Sequence, residues 1–300
     1  MQLSPDRKKT WYLAFFIILI PIVMLPAYMA WEAATPDVSV IRVPGAPQGI
    51  VFIADPHIRP ENIDTVRKAI DRINRMQPAL VLIGGDFTSP GEEDLSLQEV
   101  WTEIDAPVYA VLGNHDYRVG IKGSGVLGRM TWLMESILRS QGYYESSFYS
   151  DPDLTSPDIL AGVLEKNGVT VLRNEWTELD ISGQSLILCG VDDIWAGRAH
   201  SPVIPDNESY VIYLVHEPFY REEWNADLIL AGHTHGGQFN NGVFQLLDYS
   251  GLVDIRGISL KNETILYVTR GIGTSKTRDD FRLFTSPEIV LINPREVQKV

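Results

Sequence analysis

A chain of 300 residues with 45% hydrophobic residues can build one large folded domain or two small ones, which excludes a disordered protein. Its formal net charge of −14 repels polyanions, so nucleic acid is not an expected partner, although bound divalent cations can reverse the local field. A single cysteine, Cys189, excludes an internal disulfide and a thiolate zinc site; in the run Ser185-Leu186-Ile187-Leu188-Cys189 it reads as a buried strand residue.

From the N-terminus, Arg7, Lys8 and Lys9 precede residues 11–31, WYLAFFIILIPIVMLPAYMAW, in which nothing is charged. As a helix the run spans roughly 30 Å, the depth of a bilayer's hydrocarbon core. Trp11, Tyr12, Tyr28 and Trp31 lie near its ends, where interfacial aromatics belong, and Pro21 and Pro26 are tolerated there. Basic residues come before the run, and Glu32 and Asp37 after it. Residues 1–10 are therefore expected to be a cytoplasmic tail and 11–31 a single-pass transmembrane helix in the cell membrane, with the remainder on the extracytoplasmic side. The competing reading is a cleaved signal peptide, but no A-x-A-like site follows the run. Residues 32–47 hold three prolines and read as a linker or an edge strand; residues 48–300 form the main folded domain.

That domain alternates apolar strand, polar loop and helix. Ile50 to Ala54 is a short buried strand. Pro60 opens a helix to about Met76 with Ile63, Val66, Ile70 and Ile73 on one face. Strand Leu80 to Ile83 leads to Gly84-Gly85-Asp86. A helix carrying Leu97, Val100 and Ile104 follows, and then strand Val108 to Leu112 ends at Gly113-Asn114-His115-Asp116. This rhythm indicates an α/β fold. Residues 121–156 look like an insertion. Leu127, Met130, Met134, Ile137 and Leu138 recur there at helical spacing, broadened by Trp132 and Leu133. Surface helices normally bury such a stripe, so packing on the core is expected; a lid that touches lipid or an acyl chain is the functional alternative. Six further apolar runs, from residue 169 to 291, look extended with few long helices between the last of them, a count that suits two packed sheets.

Of six histidines, all but His200 share one context: each follows an apolar, strand-like run and neighbours Gly, Asp, Asn or Pro. They are His57 in Asp55-Pro56-His57, His115, His216 in His216-Glu217-Pro218, and His233 and His235 in Gly232-His233-Thr234-His235-Gly236-Gly237. In α/β sheets ligands bind outside the C-terminal ends of strands, and imidazoles, carboxylates and an amide gathered there suit Zn, Mn, Fe or Co. The x in Asp-x-His and His-x-His is expected to put both side chains on one side of an extended backbone. His200 reads as an exposed loop residue. Arg270, Lys276, Arg278 and Arg282 read either as solvated loop charges or as holders of a substrate phosphate. Asp192 and Asp193 close a strand and can simply make a turn.

Asp-x-His, Gly-Gly-Asp, Gly-Asn-His-Asp, a His after an apolar strand and Gly-His-x-His, in that order, resemble the calcineurin-like metallophosphoesterase superfamily over residues 48–294. Gly-His-Thr-His-Gly-Gly-Gln and Gly-Val-Asp-Asp look like its branch of small, often membrane-tethered bacterial phosphoesterases, some of which act on envelope glycolipid precursors. The resemblance implies a four-layer α/β/β/α sandwich with two mixed sheets. It implies two divalent metals, one held by Asp55, His57, Asp86 and His235, the other by Asp86, Asn114, His216 and His233. A shared Asp86 would lessen the repulsion between the cations. It further implies in-line attack by a metal-bound hydroxide, with His115 donating a proton to the leaving alkoxide and Asp116 orienting the His115 ring. The implied substrate is phosphorylated, a phosphodiester or pyrophosphate rather than a small monoester, with an envelope lipid or glycolipid as one option. One departure is that cytoplasmic UDP-diacylglucosamine hydrolases of the superfamily typically carry Arg where His115 stands. The alternatives from other classes are a metal-binding scaffold or sensor without turnover, which needs no general acid, and a nuclease, which the charge and the anchor disfavour.

Overall fold

Strands that are buried on both faces read as unbroken apolar runs, and the two central strands of the fold, Ile50–Ile53 and Leu80–Gly84, are buried at every position. The computed structural model describes residues 5–89, 91–92, 94–205, 209–238, 242–275 and 280–295. Helix α1 is Pro5–Ala33; strands β1 to β4 are Asp37–Ile41, Ile50–Ile53, Leu80–Gly84 and Val108–Val111; helices α2 to α4 are Ile63–Arg75, Gly125–Ser140 and Ser156–Lys166. Strands β5 to β9 are Val169–Val171, Glu175–Ile181, Gln184–Gly190, Tyr210–Leu214 and Leu228–Ala231; helix α5 is Gly242–Tyr249, and β10 to β12 are Gly257–Lys261, Thr264–Val268 and Glu288–Ile292.

These strands form two six-stranded mixed sheets, ordered β1-β12-β2-β3-β4-β5 and β10-β11-β9-β8-β7-β6. Only the pairs β12–β2, β6–β7 and β10–β11 run antiparallel. Side-chain alternation divides each strand between two layers. Ile50, Phe52, Leu80 and Leu82 meet Leu188, Leu214, Leu228 and Leu230 between the sheets. Val51, Ile53, Val81 and Ile83 face outward onto Val66, Ile70 and Ile73 of α2 and Leu160 and Leu164 of α4. The outer face of the second sheet, with Ile187, Cys189, Tyr213 and Ile229, is covered by Phe219 and Trp224. This is the expected α/β sandwich, with Cys189 buried as its apolar run indicated.

Two local expectations change, and the choice between a linker and an edge strand is decided. Helix α2 starts at Ile63 and not at Pro60, because Asn62 is used to brace the preceding loop: its Nδ2 donates to Pro56 O (3.1 Å) and His57 O (3.0 Å), and its Oδ1 accepts from Arg59 N (2.9 Å). The segment Leu95–Glu103 is a 3-10 helix. Residues 32–47 are not a free linker; their centre is edge strand β1, parallel to β12 with Asp37 opposite Glu288. Helix α1 is long and apolar enough to cross a membrane over Phe15–Ala33, where its mean hydropathy is 1.9.

Candidate metal centre

Every parallel strand near the middle of the two sheets delivers a polar residue just past its C-terminal end. Asp55 and His57 follow β2, Asp86 follows β3, Asn114 and His115 follow β4, His216 follows β8, and His233 and His235 follow β9. The backbone turns sharply to do this. Asp55 (φ 53°), His57 (42°), Asp86 (59°), His233 (71°) and His235 (51°) all sit in the left-handed region, which is costly for residues with a Cβ and persists where surrounding structure enforces it. Asp55-Pro56-His57 and His233-Thr234-His235 are therefore not extended. Period-two alternation is the wrong reason for their shared direction; paired left-handed turns are the right one.

The donor atoms converge. Nε2 of His57 lies 3.1 Å from Nε2 of His235 and 3.4 Å from Oδ2 of Asp86. The same Asp86 oxygen is 3.3 Å from Nε2 of His216, so one carboxylate atom stands between two imidazoles. His216 Nε2 is also 3.1 Å from Asn114 Oδ1 and 3.2 Å from His233 Nδ1, and His235 Nε2 is 3.8 Å from Asp55 Oδ1. Asp55, His57 and His235 offer donor atoms within 4.8 Å of one another, as do Asp55, Asp86 and His216, and also His57, Asp86 and His115.

The orientation of these groups is set from behind. Nδ1 of His216 donates to Gly84 O (2.7 Å) and Nδ1 of His57 to Thr88 O (2.9 Å), leaving each Nε2 lone pair aimed inward. Asn114 Nδ2 donates to Val119 O (2.8 Å), which turns its carbonyl oxygen inward. His115 N–H holds the other oxygen of Asp86 (2.8 Å), and His233 N–H holds both oxygens of Asp55 (2.9 and 3.0 Å). Gly85, at φ +87°, lets the loops approach: a Cβ there would lie 2.8 Å from both Gly113 N and His216 Nδ1.

Asn114 Oδ1, Asp86 Oδ2 and His216 Nε2 are thus acceptors facing one another, with His233 Nδ1 closing the ring. Only a cation, a proton or a metal ion, makes such a set stable. The pKa directions from the protein groups alone reflect the same need. Burial pushes His57 down to about 3, against the pull of Asp86. Burial, with His216 and His57 respectively as the next causes, holds His233 and His235 well below the usual imidazole range. For His216 burial is outweighed by Asp86, and its pKa stands well above normal; for Asp86 burial is outweighed by His216 and His115, and its pKa stands well below. Burial raises Asp55 to about 7. The neutral rings of His57, His233 and His235 around a fixed carboxylate, with His216 able to give up its proton to an incoming cation, fit divalent metals of borderline softness.

All seven expected ligands and His115 meet here. His115 is half-buried, its ring edge-to-face with His57 at 4.9 Å. Asp116 differs from expectation. Its Oδ2 accepts from Asp86 N (3.0 Å) and Gly113 N (2.9 Å), and its Oδ1 from Thr88 N and Oγ1 (both 3.0 Å). It clamps the two loops together beneath the site rather than orienting the His115 ring. His200 is exposed, as expected. Arg282 is neither a solvated charge nor a substrate holder. It is fully buried behind His235, donating to the carbonyls of Arg270 (2.8 Å), Gly271 (3.2 Å) and Thr285 (3.0 Å). Arg270 is half-buried against Glu288; Lys276 and Arg278 lie outside the described residues. Asp192 and Asp193 are both buried, Asp192 accepting from Tyr117 OH (2.7 Å). Trp195 was not foreseen: its ring packs edge-on against His233 at 4.4 Å, and its place two residues beyond Asp193 was the available signal.

A sequence model described as calcineurin-like phosphoesterase matches residues 49–237. The chain is 27% identical over 261 residues to the phosphodiesterase YaeI of Escherichia coli (strain K12), covering 82% of each chain. It is 27% identical over 252 residues to an uncharacterized metallophosphoesterase of Aquifex aeolicus (strain VF5), covering 79% of each. Among solved structures it is similar to the phosphopantetheinyl hydrolase PptH of Mycobacterium tuberculosis, at 11% identity and a TM-score of 0.44, covering 85% of this chain and 99% of that one.

Proposed function

The chain belongs to the calcineurin-like phosphoesterase family and is a metal-dependent phosphoesterase, and from this premise we propose that it is a membrane-anchored, dinuclear phosphodiester or pyrophosphate hydrolase. In this reading residues 11–31 span the membrane, 1–10 are cytoplasmic, and 48–300 act on the extracytoplasmic side. The observation that carries the dinuclear reading is the placement of Asp86 Oδ2 at 3.4 Å from His57 Nε2 and 3.3 Å from His216 Nε2. Asp55, His57, Asp86 and His235 would hold one ion, and Asp86, Asn114, His216 and His233 the other. When bound, divalent ions polarise the phosphoryl oxygens and make hydroxide available near neutral pH.

The rest of the chemistry belongs to the side chains. Asp86, held at Oδ1 by the His115 N–H, keeps its second oxygen between the two ligand sets. The backbone clamp of Asp116 fixes the 86–88 and 113–116 loops, so the ligands are positioned before a substrate arrives. His115, at the rim and not among the eight ligand positions, offers its ring proton to the leaving oxygen. Trp195 and the buried imidazoles exclude water from the reacting side. The similarity to a phosphodiesterase supports a diester over a monoester.

The purified full chain supplied with Mn is expected to hydrolyse bis(p-nitrophenyl) phosphate, and Asp86→Asn to abolish this. Bound metal without turnover of any phosphodiester or pyrophosphate, tried with Mn, Zn, Fe and Co, would leave only a metal-binding scaffold.

A further inference from the structure

Helix α3 is turned inside out relative to the usual amphipathic arrangement. Its buried residues are Glu135 (1% exposed), Ser136 and Arg139 (3%). Glu135 Oε1 accepts from Arg139 Nε (2.7 Å), Trp195 Nε1 (3.0 Å) and Tyr149 OH (3.1 Å), and Arg139 Nη1 donates to Pro218 O (2.7 Å). The stripe divides: Leu127 is 68%, Met130 59% and Met134 56% exposed, whereas Trp132, Leu133, Ile137 and Leu138 are half-buried and Trp132 packs against the core. The expectation that this stripe packs on the core holds for Trp132 and fails for Leu127, Met130 and Met134, because a buried ion pair occupies the inward face.

A series of contacts links the end of α3 to helix α1. Asp254 N donates to Ser140 Oγ at the end of α3 (3.0 Å), and the segment before it exposes Leu252, as α5 exposes Leu246 and Tyr249. Thr234, between two ligand histidines, donates from Oγ1 to Ile255 O (2.6 Å). The same loop reaches the next segment through Gln238 Nε2, which donates to Phe281 O (3.2 Å). There Phe284, itself exposed, packs against Tyr28 of α1 with ring centroids 6.1 Å apart, and its N–H donates to Glu32 Oε2 (2.9 Å). Isolated exposed apolar residues are ordinary on a protein surface. Their recurrence on three segments linked by contacts to a helix with the length and hydropathy of a bilayer span is less ordinary. Lys122 and Arg129, both exposed, flank the α3 end of the series, as suits an interface with anionic headgroups.

We propose that α3, α5 and the 281–286 segment rest in the membrane–water interface, so that the metal site opens onto the bilayer surface and takes an amphiphilic phosphate ester from it. This rests on the reading of residues 11–31 as a membrane span. The occupant of the apolar face is lipid, and not a second copy of the chain.

The test places a spin label at Met130→Cys in the full chain, reconstituted in phosphatidylethanolamine–phosphatidylglycerol vesicles. Cys189 is buried and stays unlabelled. Ser182→Cys, in the β6–β7 turn at the opposite sheet edge, is the aqueous control. The label at 130 is expected to be more accessible to oxygen than to a water-soluble nickel chelate, and the label at 182 the reverse. Chelate access at 130 equal to that at 182 overturns the proposal, as does spin–spin broadening at 130 that reveals a second copy. Carbonate extraction separates the two readings. If the label is in water and the chain remains in the pellet, only the rim proposal fails; if the chain is released, the anchor fails with it. In parallel, p-nitrophenyl dodecyl phosphate is expected to be turned over at least roughly tenfold faster, in kcat/KM, than p-nitrophenyl methyl phosphate. Met130→Glu combined with Met134→Glu should remove that preference and leave the methyl ester rate unchanged. Equal rates on both esters by the unaltered chain count against an amphiphilic substrate.

Discussion

Nη2 of Arg282 lies 3.4 Å from Nδ1 of His235, inside a protein shell that leaves the arginine no exposure. This guanidinium also ties the carbonyls of residues 270, 271 and 285 into one knot behind His235. Burial lowers its pKa to about 10, with Asp55 pulling the other way, so it stays charged near neutrality. Arg282→Met should strand several buried carbonyls at about 1–3 kcal/mol each, lower the unfolding midpoint markedly and loosen His235. Thermal unfolding and metal content measured on the same sample check this. An unchanged midpoint would show that the knot is dispensable.

Replacing His115 tests the proton donor. His115→Ala should lower turnover of a diester by about 10²–10⁴, the range of a lost general acid, while elemental analysis finds the same metal content as before. An ester with a better leaving group should recover much of the loss, because its oxygen needs less protonation. Unchanged turnover on a poor leaving group would remove His115 from the reaction.

Asp86→Asn should act on binding and not only on rate. The amide puts either a weaker oxygen or an N–H between His57 and His216, where a shared carboxylate oxygen now stands. Elemental analysis should find both ions diminished. Chelation of the unaltered chain should likewise lower its unfolding midpoint, since bound ions stabilise the folded state by mass action. Loss of one ion alone, with the other retained, would argue against a bridging role.

Glu288 sets an acid-sensitive seam. Burial raises its pKa, but Arg270 and hydrogen bonds from Ser39, Arg270 N and Tyr267 more than offset this, so it stands below the ordinary 4.5. The unfolded chain therefore takes up the proton first as pH falls. The stabilisation is complete above the ordinary value and is lost as pH drops through the folded value. Glu288→Gln should be less stable than the unaltered chain at pH 7, and the gap should narrow as pH falls below 4.5, as read from denaturant midpoints across pH. A gap that is constant with pH would mean that packing, not charge, is what the substitution disturbs.

The sandwich and the convergence of the site's side chains were legible because both rest on local patterns. Apolar runs buried on both faces mark strands such as β2 and β3, and short polar loops at their ends place Asp55, Asp86 and Asn114 with little freedom. The explanation attached to Asp-x-His was wrong because alternation describes strands, and these residues lie beyond the strand, in left-handed turns. The orientation of α3 was illegible for a different reason. Helical spacing reveals a stripe but not which side meets protein, and a Glu and an Arg four residues apart, such as Glu135 and Arg139, ordinarily pair on a solvent-facing side. Arg282 was missed on similar grounds: an arginine in a polar loop gives no sign that five backbone carbonyls surround it.

Glu32 closes α1 by accepting from the backbone N–H groups of Phe284 and Thr285, and β1 is already paired along β12 five residues later. With α1 in a bilayer, such a joint leaves no leash on which the hydrolase could swing away to sample the surrounding fluid. For the proposed substrate held in the same leaflet, its encounters would become a two-dimensional search, governed by how many target molecules share that leaflet and how fast they diffuse along it, rather than by their concentration in bulk water.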